Sequence, residues 1–457
     1  MIETKFREQA RRDWPFSEVF YTGSLKNTNL RDGNRLVFII DLSIITVAIT
    51  VFTLLYFLMW CILSIAHVSR RDKIYGSAKF NPHEPTVTIL IPCRNEEKVV
   101  ADAITQCLNQ SYESLEVIVV AHNCRDKTFE VAKQFECERV HVLKLDTKES
   151  GKGLGLNYGL KSAIGDIIVY FDADSLVERD YVKKIVDTIY EGKYDLVQGK
   201  ILGANPHFNR LCFLQHMENL LFLSFFWGGK QKLNLPCGLG GTGVAIKRSS
   251  LEQLGGYRNV LVEDFDLCLR AEMKNMKIAY RHDAIVYDEK VPYFRMIIRQ
   301  RTRWFAGHLQ LANEMIRCPN KLLTLLKKNP VDFLHLLTPF YSLGLWIGVF
   351  VGLVSLVINS QLLFQNIWVV YFSVPFSVFL AQTVLLQALF LLVLKKECRT
   401  HAEFRRCALN LPLFNVYTLH WFMVFWNALF LRDWERTKME HGFRGNIYAA
   451  RLMSRHL

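Results

Sequence analysis

Two phosphate-binding signatures are missing from this chain. No Gly-x-Gly-x-x-Gly follows its first strand-like run, and no Gly-x-x-x-x-Gly-Lys-Ser/Thr occurs anywhere, so the dinucleotide and P-loop classes lose their main support. Cysteine occurs eleven times but never as Cys-x-x-Cys or in a metal-type cluster. Reduced, mostly structural thiols of a cytosolic compartment are therefore expected, including Cys93, Cys124 and Cys237 beside candidate site loops. Charge is sparse as well, with 22% of residues charged against 51% apolar, a greasier balance than that of an average soluble domain. The first apolar run has no small-x-small site directly behind it and is too long for the core of a signal peptide, which argues against cleavage there.

The apolar excess is concentrated. Residues 42–65, 336–358, 367–394 and 411–431 reach the length of roughly 20 residues that a helix needs to cross a hydrocarbon core. The last run carries Asn415, His420 and Asn427 and is basic at both ends, so a re-entrant or interfacial course competes with a full crossing. Basic residues crowd the flanks of these runs: Arg70, Arg71 and Lys73; Lys321, Lys327 and Lys328; Lys395 and Lys396; Arg405 and Arg406; Arg432, Arg436 and Lys438. The formal net charge of +13 thus reads as a positive-inside pattern with attraction to anionic lipid, and not as a nucleic-acid footprint. The expected location is the cell membrane, multi-pass, with the large domain facing the cytoplasm. In order, the chain divides into an N-terminal segment (1–35), a membrane helix (36–68), a catalytic domain (69–292) and amphipathic interface helices (293–330). Two further crossings (331–395) follow, then a basic loop, a last membrane segment and a tail (396–457).

Between the first two runs the texture is α/β. Residues 86–91, 115–120 and 166–171 read as buried parallel strands spaced for crossover helices, and ligands of such sheets collect at the carboxyl ends of the strands. Asp172 and Asp174 follow the third strand. In extended chain both side chains leave one face, offering hard oxygen ligands for Mg2+ or Mn2+ against a diphosphate; a water-facing turn is the plainer alternative. Glu263-Asp264 stands at the start of a helical pattern, so Asp264 is either an N-cap or a general base. Gly238-Leu-Gly-Gly-Thr-Gly243 is a loop in which backbone approaches a ligand, Gly241 being assigned to the acceptor or diphosphate side, or else a tight turn. In Gln300-Arg301-Thr302-Arg303-Trp304, positions 300, 303 and 304 share one helix face. An amide, a planar fork of donors and a stacking ring there suit a pyrophosphate and a pyranose.

In this order the motifs resemble the inverting glycosyltransferases of family 2, in the membrane-embedded branch with cellulose, chitin, hyaluronan and poly-N-acetylglucosamine synthases. The resemblance covers about residues 86–304 and implies an α/β, GT-A type nucleotide-sugar-binding domain inserted between transmembrane α-helices. It further implies that the loop with Asn95 and Glu97 meets the nucleoside, that Lys152 approaches the nucleotide and phosphates, and that Asp172 and Asp174 hold donor and metal. Asp264 becomes the base, with Glu263 beside it, and Gln300, Arg303 and Trp304 contact acceptor and diphosphate. His122 stands where the family usually has an acidic residue contacting uracil; a neutral imidazole can bond a base edge, a buried structural role is the alternative, and Asp126 would organise the loop. Trp434, Thr437 and His441 resemble a terminal motif that closes over the donor. The implied reaction moves a hexose or N-acetylhexosamine from a UDP-sugar to a growing β-linked polysaccharide, with transfer of one sugar to a membrane lipid as the alternative. Gln382, Gln387 and Asn427 would line a glycan path that a homo-oligomer or an accessory subunit completes.

Overall fold

The computed structural model describes residues 51, 54–69, 84–336 and 367–430, apart from the side chains of 367–380 and 383. All but Val51 fall in one compact unit, Phe52–Leu457. Its centre is an eight-stranded mixed sheet of β1 (Val87–Cys93), β2 (Leu115–His122), β3 (Val140–Leu145), β4 (Ile167–Tyr170), β5 (Leu176–Val177), β6 (Leu196–Gly203), β7 (Val244–Lys247) and β8 (Ile278–Asp288), in the order β3-β2-β1-β4-β7-β6-β8-β5. The three strands expected from the Val/Ile runs are present and pair in parallel, Ile89 with Val117 on one side and with Val169 on the other. They are buried throughout or nearly so, which is why they read as continuous apolar runs. β7 runs antiparallel to both β4 and β6.

Crossover helices cover the sheet. In α2 (Val100–Leu108), Val100, Ala103, Ile104 and Cys107 form the buried stripe; α3 (Thr128–Lys133), α4 (Lys152–Leu160) and α5 (Tyr181–Glu191) follow the same logic. Because β1 turns to β2 on one side while β4 lies on the other, a crevice opens at the carboxyl ends of β1 and β4, where such sheets bind ligands. After β6, α6 (Arg210–Glu218) passes through a π-helical turn, Asn219–Leu223, into α7 (Ser224–Lys232). The first helix, α1, over residues 54–69, lies on α7 so closely that a Cβ on Gly229 would sit 2.5 Å from the Leu63 carbonyl oxygen. After β7 come α8 (Arg248–Leu254), α9 (Glu263–Met273), α10 (Phe294–Ile316), α11 (Pro319–Lys328) and α12 (Pro330–Leu336).

Among the described residues no helix is long and apolar enough to cross a membrane. The run 337–358 and the terminal motif with Trp434, Thr437 and His441 lie outside the described residues, and α13 (Ile367–Glu397) has described side chains only in its second half. Glu397 at its end is part-buried and receives His67 Nε2 at 2.6 Å and Lys200 Nζ at 2.5 Å, which ties α13 to the helix over 54–69 and to β6. After α14 (His401–Leu409), the run 411–430 is not one continuous helix. It breaks at Leu419 into α15 (Leu411–Thr418) and α16 (His420–Leu429), where Thr418 Oγ1 bonds the Asn415 carbonyl and His420 Nδ1 lies 2.6 Å from the Tyr417 carbonyl. Phe414 and Tyr417 join the main core, while Val424, Phe425 and Ala428 pack with Ile298 and Phe305 of α10.

Candidate active site

On the β1–β2 side the side chains assigned to the nucleoside brace two loops. Asn95, in the left-handed region at φ 59°, accepts the Arg125 amide at 2.8 Å, and Glu97 accepts the Lys127 amide at 3.0 Å. Asp126 accepts the Glu97 amide and both the amide and hydroxyl of Thr128, so it does organise this loop. His122 is buried at the end of β2 with Nε2 3.3 Å from the Glu149 carbonyl, which Asn123 Nδ2 also reaches at 2.9 Å. The ring thus secures the loop that leads to Lys152. A cavity of about 390 Å³ opens beside it, with Arg94, Arg125 and Lys148 in its lining, a positive wall suited to an anion.

The second strand end differs from expectation. Asp172 and Asp174 are not in extended chain, because β4 stops at Tyr170 and the Ser175 amide bonds back to the Asp172 carbonyl at 3.0 Å. Thr242 causes the turn: its hydroxyl accepts the Asp172 amide at 3.1 Å and pairs with Ser175 Oγ at 2.8 Å, pinning 172–175 against the glycine-rich loop. Gly243 in that loop adopts φ 66°, a conformation open to glycine.

Lys152, the first residue of α4, gathers the site. Its Nζ lies 2.6 Å from Asp172 Oδ1 and 3.6 Å from Glu263 Oε1, donates to the Gly241 carbonyl, and sits 5.1 Å from the Tyr170 ring centre. A Cβ placed on Gly241 would be 3.7 Å from Asp172 Oδ2 and 3.8 Å from both Asp264 Oδ2 and Lys152 Nζ, so three motifs distant in sequence meet at one point. Burial alone would lower the lysine's pKa, but the Asp172 and Glu263 carboxylates outweigh it and hold the ammonium charged. Burial raises both the Glu263 and Asp264 carboxyls above their ordinary range, against the pull of Lys152 and Arg303.

Asp264 is not an N-cap. Val262 holds that position, and Asp264 lies in the first turn of α9 with Oδ1 accepting the Phe265 amide at 2.8 Å. Glu263, Asp264 and Asp266 all lie in that turn, where the helix dipole favours negative charge. Asp266 is engaged by Arg258 and Arg270, each at 2.7 Å, which leaves the neighbouring pair for chemistry.

Gln300, Arg303 and Trp304 lie on α10 as the spacing predicts. Arg303 Nη1 donates to the Leu261 carbonyl at 3.2 Å, bringing the motif beside the start of α9. Arg301, assigned no role from sequence, is buried against Glu218 at 2.6 Å with its guanidinium 4.4 Å from the Trp304 ring centre. A second constellation was equally hidden: Cys268, Glu272 and Asp332 converge as a metal-type cluster, although the cysteine spacing predicts none. Lys230 Nζ sits 2.6 Å from both Asp332 oxygens, so an ammonium already neutralises the cluster. Burial and the Asp332 carboxylate push the Glu272 carboxyl up to about 10. All eleven cysteines are free thiols.

Residues 84–307 match the family model described as "Glycosyltransferase like family 2". They are a family 2 glycosyltransferase domain. The domain is 31% identical over 232 residues to "Probable glycosyltransferase YdaM" of Bacillus subtilis, covering 49% of this chain and 55% of that protein. It is 30% identical to the beta-monoglucosyldiacylglycerol synthase of Trichormus variabilis (50% and 49% covered) and 24% identical to the poly-beta-1,6-N-acetyl-D-glucosamine synthase of Staphylococcus aureus (48% and 54%). The chain thus spans about half the length of the curated relatives it matches. A mannosyltransferase from Pyrobaculum calidifontis, solved with GDP-Man and Mn2+, superposes with a TM-score of 0.50 at 20% identity, covering 75% of this chain and 98% of that one, which shows a shared fold. The α/β nucleotide-sugar architecture expected as GT-A is therefore the observed one, and the family 2 domain is that of a nucleotide-sugar-dependent enzyme.

Proposed function

We propose that this chain is an inverting transferase that moves a hexose or N-acetylhexosamine from a UDP-sugar to the end of a growing β-linked polysaccharide at the cytoplasmic face of the cell membrane. The observation that carries the catalytic part is the meeting of Asp264, Lys152 and Asp172 within 4 Å of one point beside Gly241. Asp264 takes the proton from the acceptor hydroxyl as that oxygen attacks the anomeric carbon, and the sugar–phosphate bond breaks with its electrons leaving on the UDP diphosphate. Burial raises the affinity of Asp264 for that proton, while Lys152 and Arg303 pull the other way and favour the carboxylate. Lys152 offers its charge to the donor phosphates, Arg303 stands on the diphosphate side, and Trp304 gives the acceptor sugar a stacking face.

Asp172 and Asp174, two hard oxygen donors on one turn at the crevice mouth, suit Mg2+ or Mn2+. When bound there, such a cation supplies charge neutralisation to the leaving diphosphate.

The membrane reading is supported by apolar side chains left exposed on the helix over 54–69 (Leu55, Leu58, Ile62, Ile65), on α11 (Leu323, Leu326) and on α15 and α16 (Val416, Phe422, Met423, Trp426). That surface, with diacylglycerol-glucosylating relatives at 30% identity, also favours a second reading in which the acceptor is a membrane lipid. Membranes carrying wild type or Asp264→Asn, given Mn2+ or Mg2+ and each labelled UDP-sugar in turn, separate these readings by product size after lipid extraction. Label of high molecular weight, absent from the variant, supports polymer synthesis. Label only in the organic phase replaces it with glycolipid synthesis, and no incorporation from any UDP-sugar defeats both.

A further inference from the structure

Arg301 sits inside the Gln-x-x-Arg-Trp segment, yet its side chain is buried in the protein. It is 6% exposed and paired through Nη2 with Glu218 Oε2 at 2.6 Å. Glu218, 7% exposed, ends α6 where the helix passes into its π-helical turn, a distortion often found at functional sites. The same oxygen accepts Tyr417 Oη of α15 at 3.1 Å, and that tyrosine is 6% exposed. The planar guanidinium lies over two indoles, 4.4 Å from the Trp304 ring centre and 5.7 Å from that of Trp421 in α16. Among the described residues, Arg301 Nε and His420 Nε2 have no hydrogen-bond partner although both are buried. A surface arginine gains nothing from such burial. Here the cost is met by one charged partner and by stacking on two rings, and the result is that the Trp304 indole is held from behind.

We propose that Arg301 is a positioning residue that fixes the Trp304 ring for the acceptor sugar, and that α15 and α16 set acceptor binding through the chain Tyr417–Glu218–Arg301. The inference rests on the proposed transferase reading of the site. The pair α15 and α16 then tunes how tightly the acceptor end is held. Lysine at 301 keeps the charge opposite Glu218 but loses the flat face against the indole. Phenylalanine at 417 removes one hydroxyl and leaves the packing.

The test uses the full-length chain in detergent, the UDP-sugar it consumes, and a matching β-linked glucose or N-acetylglucosamine pentasaccharide as acceptor. Acceptor KM, donor KM and the slow hydrolysis of donor by water are measured for wild type, Arg301→Lys, Tyr417→Phe and the double variant. Arg301→Lys should raise acceptor KM about tenfold while donor KM and hydrolysis stay within about twofold. Tyr417→Phe should raise acceptor KM less, and the double variant no more than Arg301→Lys alone, as members of one network behave. An unchanged acceptor KM, or donor hydrolysis falling in step with transfer, overturns the inference. Should Arg301→Lys not fold, Tyr417→Phe decides by the same KM criterion. Wild type that turns over no UDP-sugar instead sinks the transferase reading, an outcome read before any variant is compared.

Discussion

Around Asp264 two opposed effects act on one carboxyl, and their balance is measurable. Burial raises its pKa and Lys152 draws it down. A base works only when deprotonated, so activity should fall as pH drops through a midpoint above the usual aspartate range. Lys152→Met removes the nearby cation; the acid limb of kcat should then move up by about one pH unit or more, alongside a loss of donor affinity. A pH–rate profile with the same acid limb in both proteins would remove Lys152 from control of the base. At Glu272 the sign is opposite for stability. Its carboxyl titrates near 4.5 when unfolded and at about 10 when folded, so between these values the folded state holds a proton that the unfolded state lacks, and stability falls as pH rises. Glu272→Gln keeps the shape and abolishes that proton exchange. Thermal melts should show the wild-type Tm dropping between pH 6 and pH 9 by several degrees more than that of the variant.

Among the elements, the glycine-rich loop and α10 position the most chemistry with the fewest atoms. The Gly243 carbonyl accepts Tyr181 Oη at 2.7 Å and the Gly199 amide at 3.0 Å, while its φ of 66° turns the chain so that Thr242 can pin the Asp172 turn. A Cβ there would stand 2.7 Å from Val286 Cγ1 and 2.8 Å from Tyr181 Oη. Gly243→Ala should therefore cost about 1–3 kcal/mol through strain and overpacking, read as a lowered Tm, and lower donor affinity with it. An unchanged melt would mean that the loop relaxes without disturbing its neighbours. The helical face of Gln300, Arg303 and Trp304 could be read from i, i+3, i+4 spacing alone, since helix geometry is local. The role of Arg301 could not, because Glu218 and Tyr417 reach it from elements far along the chain.

For the whole molecule the proposed membrane association yields a direct test. α11 presents Leu323 at 54% and Leu326 at 41% exposure beside Lys321, Lys327 and Lys328, an arrangement suited to lying in an anionic interface. Replacing Leu323 and Leu326 by Glu should lower turnover in vesicles containing anionic lipid more than in neutral detergent, since burial of two leucines is worth about 3–6 kcal/mol. Equal activity of the variant in both media would take α11 off the membrane. The apolar length of 411–431 hid its polar contacts: Asn415, Tyr417, Thr418 and His420 bond locally and to Glu218, and the segment forms two helices, the first packed in the main core and the second against α10.

What the sequence determined by itself is whatever depends on residue type and short spacing: the parallel strands of 86–91, 115–120 and 166–171, the helix bearing Gln300 to Trp304, and the order of acidic motifs that resembles family 2 transferases. Those features follow from side-chain period and local backbone preference. Only the tertiary structure decided that 172–175 turns on Thr242, that His122 secures a loop, that Lys152 joins Asp172 to Glu263, and that Lys230 neutralises Asp332 beside Cys268 and Glu272. Each of these is a polar or charged group whose partner lies tens to more than a hundred residues away. A buried charge or hydrogen-bonding group must be satisfied by whatever the topology brings to it, and no local pattern names that partner.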